Sequence, residues 1–113
     1  MRDPYFDTTE VQHLFDSSGF WIAYRIGRNI FDPAGNWVGW LPFEEKEVHD
    51  PKGIYLAHIY PGNRLYRNKK FLKREAIVRP ERPGYTRRHT FPGMISRERL
   101  PIGCEDIRLS AHV

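Results

Sequence analysis

Three stretches of this chain align without gaps over eleven positions, and that repeat limits the fold more than any other feature. They are Leu14 to Tyr24 (LFDSSGFWIAY), Ile30 to Trp40 (IFDPAGNWVGW) and Val48 to His58 (VHDPKGIYLAH). The shared order is aliphatic, aromatic or His, Asp, two residues, Gly, any residue, aromatic, aliphatic, small, and aromatic or His. Asp16, Asp32 and Asp50 are spaced by 16 and 18 residues. A further step of 18 reaches Asn68, within Leu65-Tyr66-Arg67-Asn68-Lys69-Lys70. This fourth copy keeps the aromatic and the Asx but has Phe71 where the Gly belongs, so it is degenerate.

Asp, two residues, then Gly is β-turn chemistry. The Asp carboxylate accepts from backbone N–H groups just ahead of it. Pro33 and Pro51 preset φ at the second turn position, and Gly supplies a positive φ at its end. Asp16, Gly19, Asp32, Gly35, Asp50, Gly53 and Asn68 are therefore the structural turn residues. β-Branched and aromatic residues flank each turn and favour strands. Each copy reads as a β-hairpin. Alternation sets Trp37, Gly39 and Leu41 on one strand face and Val38 and Trp40 on the other. A small residue recurs at Ala23, Gly39 and Ala57, where backbones must converge. A lone hairpin is marginal in water, so the copies must pack on one another. The expected fold is all-β: three to four short hairpins around a pseudo-symmetry axis.

The tandem hairpins, above all Ile30-Phe31-Asp32-Pro33-Ala34-Gly35-Asn36-Trp37-Val38-Gly39-Trp40-Leu41, resemble the four-fold β-flower proteins, small domains of four hairpin repeats. The resemblance covers roughly residues 13–72. The same Asp-x-x-Gly hairpin is similar to the tyrosine-aspartate repeats of large toxin shells. The resemblance implies a fold and carries no activity and no catalytic residue.

Beyond the repeats the composition changes. Pro80, Pro83, Pro92 and Pro101 exclude a helix or a central strand through residues 79–103. The chain divides into a hairpin domain, 1–78, and a Pro-rich basic arm, 79–113, with a last strand expected near Ile107-Arg108-Leu109. Tyr85, Phe91, Met94, Ile95, Leu100 and Ile102 make the arm too apolar for a solvated tail, so it packs on its own domain or on a second copy. Charge divides too. Residues 1–59 hold five basic residues against nine acids, whereas residues 60–99 hold twelve against three. Such a split points to a charged partner or to two halves that attract each other. A single Cys104 excludes an internal disulfide framework and any Cys-based zinc finger. No apolar run is long enough for a membrane helix. Met1 to Glu10 carries Asp3, Asp7 and Glu10 and no apolar core, unlike a secretory signal, so the expected compartment is the cytoplasm.

No residue set stands out as catalytic or metal-binding, and no cofactor is implied. The three Asp residues read as caps of their own turns rather than a calcium ring. His49 and His58 take repeat positions filled elsewhere by aromatics, and they lack zinc-ligand spacing. Cys104 is followed by Glu105 and Asp106, which oppose a thiolate, so it reads as structural. The expected function is a small non-enzymatic binding or interaction module, with a protein as partner or the chain itself as a homo-oligomer. A second reading is nucleic-acid binding through the basic stretch 64–99, with Lys69, Lys70, Lys73, Arg74, Arg87 and Arg88 on the phosphates. A third is carbohydrate or small-ligand binding by stacking, on Trp37, Trp40, Tyr55 and His58.

Overall fold

A computed structural model describes residues 10–43, 46–73, 75–77 and 89–109. Eight strands lie among them: β1 (Gln12–Phe15), β2 (Trp21–Ile26), β3 (Asn29–Phe31), β4 (Trp37–Trp40), β5 (Glu47–His49), β6 (Tyr55–Tyr60), β7 (Arg64–Asn68) and β8 (Cys104–Glu105). Each strand pairs with the next, antiparallel throughout. A parallel pairing of Phe15 with Arg64 joins β1 to β7 and closes a seven-stranded barrel. The protein is all-β, built of hairpins around one axis.

The turns form as their sequence dictates. In each of the first three hairpins the Gly N–H donates to the Asp carbonyl: Gly19 to Asp16 (3.1 Å), Gly35 to Asp32 (2.9 Å) and Gly53 to Asp50 (2.8 Å). The Asp carboxylates then collect the remaining turn donors. Asp16 Oδ1 takes the Phe20 N–H, Asp32 Oδ1 those of Ala34 and Asn36, and Asp50 Oδ1 those of Lys52 and Ile54. All three glycines hold φ near +90°, at the left-handed end of a three-residue hairpin loop.

The same β-bulge recurs in all three hairpins. Leu14 faces Ala23 but Phe15 faces Trp21, and the shift repeats at Ile30–Gly39 against Phe31–Trp37 and at Val48–Ala57 against His49–Tyr55. The extra residues are Ile22, Val38 and Leu56. A bulge re-aims its side chain, and these three pack on the core. Val38 therefore joins Gly39 and Leu41 in the interior, where strict alternation sets it on the opposite face.

Leu14, Ile30, Val48 and Leu65, one from the first strand of each hairpin, are fully buried at the centre. Burying each contributes about 1.5–3 kcal/mol. Ala23, Gly39 and Ala57 face the first three across the hairpins. A Cβ on Gly39 would lie 2.9 Å from Val48 Cγ1 and 3.0 Å from the His49 carbonyl oxygen, so the convergence is real.

The fourth hairpin is β7 with β8. Leu65 and Tyr66 take the buried aliphatic and aromatic places, so Arg67 is an extra residue ahead of Asn68. With that insertion and no Gly, the tight turn is not formed. Asn68 instead caps a 3-10 turn, Lys69–Phe71, its Oδ1 accepting the Lys70 N–H. The chain leaves the barrel and returns at β8, which pairs Cys104 with Asn68 and Glu105 with Arg67. The last strand thus lies ahead of the expected Ile107–Leu109. Two residues further along that register, Ile107 comes level with Leu65, and Ile107 and Leu109 enter the core, each 6% exposed.

Between these points the arm docks on its own barrel. The Ile77 N–H donates to the Gly53 carbonyl (2.8 Å), and the Ile95 N–H to the Gly19 carbonyl (3.1 Å). A Cβ on either glycine would lie 1.9 Å from the carbonyl oxygen of its isoleucine. Arg64, almost fully buried, clamps the same region. Its Nη1 donates to the Asp16 carbonyl (2.8 Å), its Nη2 to the Ser96 carbonyl, and its Nε sits 3.0 Å from Glu98 Oε2. Asp106 accepts from the Ser17 N–H and hydroxyl. The described part of residues 79–113 is therefore held in cis, across the boundary drawn at residue 78.

Candidate functional site

Tyr55 and His58 meet, but as structure. The Tyr55 hydroxyl lies 2.7 Å from His58 Nδ1 and accepts the Asn68 N–H at 3.0 Å. Burial, ahead of every other influence, pushes the Tyr55 phenol up to about 12. Phe71 lies over both rings, 4.6 Å from His58 and 5.5 Å from Tyr55. This cluster latches the 3-10 turn onto β6. Trp37 and Trp40 do not join it. Trp40 sits opposite His49 across β4 and β5. Trp37 lines a separate recess of about 470 Å³ with Asp50, Lys52, Leu56 and Arg108. Both indole N–H groups are buried, with no hydrogen-bond partner among the described residues. The structure thus brings Tyr55 and His58 together and places Trp37 and Trp40 elsewhere on the barrel.

The remaining reactive groups are also engaged. His49 is fully buried under the third turn, with Nδ1 3.0 Å from the Gly53 carbonyl and Nε2 2.6 Å from Glu47 Oε2. The carbonyl can only accept, so Nδ1 is the donor in that contact. The Cys104 sulfur lies 3.1 Å from the Tyr60 hydroxyl, which also accepts from Asn68 Nδ2. Burial, then the thiol contact, raise the Tyr60 phenol. Among the described residues, no three His, Cys, Asp or Glu side chains converge as metal ligands.

The basic stretch divides. Arg64 and Arg67 are spent on backbone, the latter donating from Nε to the Leu56 carbonyl (3.2 Å). Lys69, Lys70 and Lys73 are exposed together on and just after the 3-10 turn. Arg74, Arg87 and Arg88 lie outside the described residues.

A different set gathers at the barrel end away from the Asp–Gly turns. Two residues before the buried Leu14, Ile30, Val48 and Leu65 come Gln12, Arg28, Lys46 and Asn63, all polar. Gln12 Nε2 donates to Asn63 Oδ1 (2.9 Å). Arg28 braces the β4–β5 connection, donating to the carbonyls of Leu41 (2.9 Å) and Pro42 (2.6 Å). Arg25, opposite Gln12 in register, donates from Nε to the Gly27 carbonyl (2.7 Å). A recess of about 640 Å³ opens here, lined by Gln12, Arg25, Lys46, Glu47, His58 and Asn63 among others, with the buried Ile59 also in its wall. Burial lowers the Arg25 guanidinium from its ordinary value. Reading the sequence missed this set because Arg25 and Lys46 are isolated cations in the acidic half. The available signal was a polar residue two positions before each core aliphatic.

Mouths of β-barrels are a recurrent place for ligands, and this one offers hydrogen-bond donors and charge rather than a nucleophile. The chain matches no protein-family model, no curated protein and no solved structure.

Proposed function

We propose that this chain is a small non-enzymatic interaction module that presents its turn-bearing end to a protein partner. The observation that carries the reading is the set of large apolar side chains left exposed around the docked arm. Phe20 follows Gly19 in the first turn, Met94 precedes Ile95, which docks on that glycine, and Phe91 packs beside Trp21. All three are more than half exposed. Apolar side chains gathered in one place on a small domain mark an association surface. The polar groups nearby, Asp16, Arg64 and Asp106, are already bonded within the fold. The barrel of hairpins around an axis also supports reading the chain as a β-flower-like domain.

The test is a triple variant, Phe20→Ser, Phe91→Ser, Met94→Ser, with its fold checked by circular dichroism. Light scattering reports association with a second copy, and affinity capture with mass spectrometry names any other partner. A complex that wild type forms and the folded variant loses supports the reading. The same complexes retained by the variant overturn it.

A second reading rests on Lys69, Lys70 and Lys73, exposed on one short stretch. If they contact phosphates, nucleic-acid retardation falls steeply as salt rises and is lost in the triple Lys→Gln variant. Salt-independent or absent binding removes this reading.

A further inference from the structure

We propose that the recess at the barrel mouth binds a small molecule through a carboxylate or phosphate group held by Arg25. This site stands at the opposite end from the surface proposed for a protein partner and does not depend on it.

The guanidinium of Arg25 is half-buried and fixed by a single bond, Nε to the Gly27 carbonyl. Among the described residues no carboxylate pairs with it, and its four Nη hydrogens have no acceptor. Burial lowers its pKa from the ordinary value. The Nη edge lies in the wall of the recess, where an incoming oxyanion can accept from it in a bidentate geometry. The anchored Nε leaves the Nη edge directed by the turn rather than by a flexible chain. Lys46 lines the same recess and is exposed, and its ammonium has no partner among the described residues. Its ammonium adds a second positive charge to the recess. Gln12 is fixed by Asn63, which leaves its side-chain carbonyl as a neutral acceptor at the wall.

The other wall limits what fits. Glu47 also lines the recess and is nearly buried. Its charge disfavours a densely charged polyanion and favours one oxyanion head on a polar or weakly apolar body, with Ile59 offering apolar surface. A volume of about 640 Å³ suits a metabolite-sized ligand rather than a peptide.

The experiment is a nuclear magnetic resonance titration of the full chain at low ionic strength with inorganic phosphate, succinate, benzoate and the neutral succinamide. Saturable shifts confined to the amides of Gln12, Arg25, Lys46 and Asn63, given by at least one anion and absent with succinamide, support the site. Arg25→Gln should weaken that binding at least about tenfold, the loss expected for a charged bidentate contact. Lys46→Gln, an exposed change that leaves the fold alone, should weaken it about two- to fivefold. No saturable shift with any anion overturns the proposal. So do shifts centred on Lys69, Lys70 and Lys73, or affinity unchanged in both variants.

Discussion

Hairpins β1–β2, β3–β4 and β5–β6 close over four-residue Asp-x-x-Gly turns, whereas β7 meets β8 only after the chain has travelled from Lys69 to Gly103. All four deliver one buried aliphatic to the centre: Leu14, Ile30, Val48 and Leu65. The first three hold it with a carboxylate and a glycine a few residues away. The fourth holds it with Ile107 and Leu109, more than forty residues on. A barrel of repeats thus needs equivalent core positions but not equivalent connections. Where the local turn is lost, long-range burial replaces it, and the intervening chain is then available to brace the other turns.

That contrast is best broken at the fourth hairpin. Truncation after Gly103 removes β8, Ile107 and Leu109, and should abolish cooperative thermal unfolding followed by near-ultraviolet circular dichroism. Ile107→Ala alone should cost about 2–5 kcal/mol in urea unfolding. A truncated chain that still melts cooperatively would show that three hairpins suffice.

The next largest effects separate the two roles of the turn glycines. Gly62 has φ +83°, but a Cβ there would make only ordinary van der Waals contacts, the nearest at 3.7 Å. Gly62→Ala should therefore cost only the conformational penalty, about 1–2 kcal/mol. Gly19→Ala and Gly53→Ala carry that penalty and also drive a Cβ into the Ile95 or Ile77 carbonyl. Each should lose clearly more stability than Gly62→Ala and should speed amide hydrogen exchange at the docked isoleucine. Equal losses at all three glycines would mean that the arm does not bear on the turns.

Smaller differences sharpen the comparison of caps. Asp32 is buried and accepts from the Ala34 N–H, the Asn36 N–H and the Asn36 side chain. Asp32→Ala should cost about 1–3 kcal/mol. Asn68→Ala removes the cap of a short 3-10 turn and should cost about 1 kcal/mol. The reverse order in denaturant titrations would contradict the division between local and long-range closure.

The smallest effect is on pH. Burial raises the Tyr55 phenol from an ordinary value of 10.0 to about 12, so the folded state favours the neutral form. Its contribution is whole below pH 10 and is lost as pH rises from there to about 12. Wild type should therefore become easier to unfold with urea as pH rises from 10.0 to about 12, and Tyr55→Phe should show a shallower decline. Parallel declines would assign the alkaline loss to other groups.

The same division explains what the sequence disclosed. Asp16, Asp32 and Asp50 with their glycines were legible because everything that forms each turn lies within five residues. The small residues Ala23, Gly39 and Ala57 were legible because three copies repeat them in one place. The bulge at Ile22, Val38 and Leu56 was not, since alternation carries no mark of a one-residue register shift. Arg67 hid the true position of the fourth copy by adding one residue before Asn68. The docking of the arm was not legible, since Ile77 and Ile95 meet glycines far from them in the chain, Gly53 and Gly19. Of the aromatic candidates, Tyr55 and His58 share β6, where strict alternation sets them on opposite faces and only the bulge at Leu56 lets them meet, while the mouth around Arg25 depends on which strands become neighbours in three dimensions.

The return of β8 sets an order on how the molecule is made. During synthesis each of the first three hairpins emerges with its own partner strand and can pair at once. β7 emerges with its Leu65–Asn68 edge only partly covered and waits until residue 105 is out. At about 5–20 residues per second that interval lasts roughly two to eight seconds. For that time the nascent chain carries an unsatisfied strand edge beside a partly open core, the feature that recruits neighbouring chains. Lys69 and Lys70 directly follow that edge, and their like charges oppose such pairing while the chain waits.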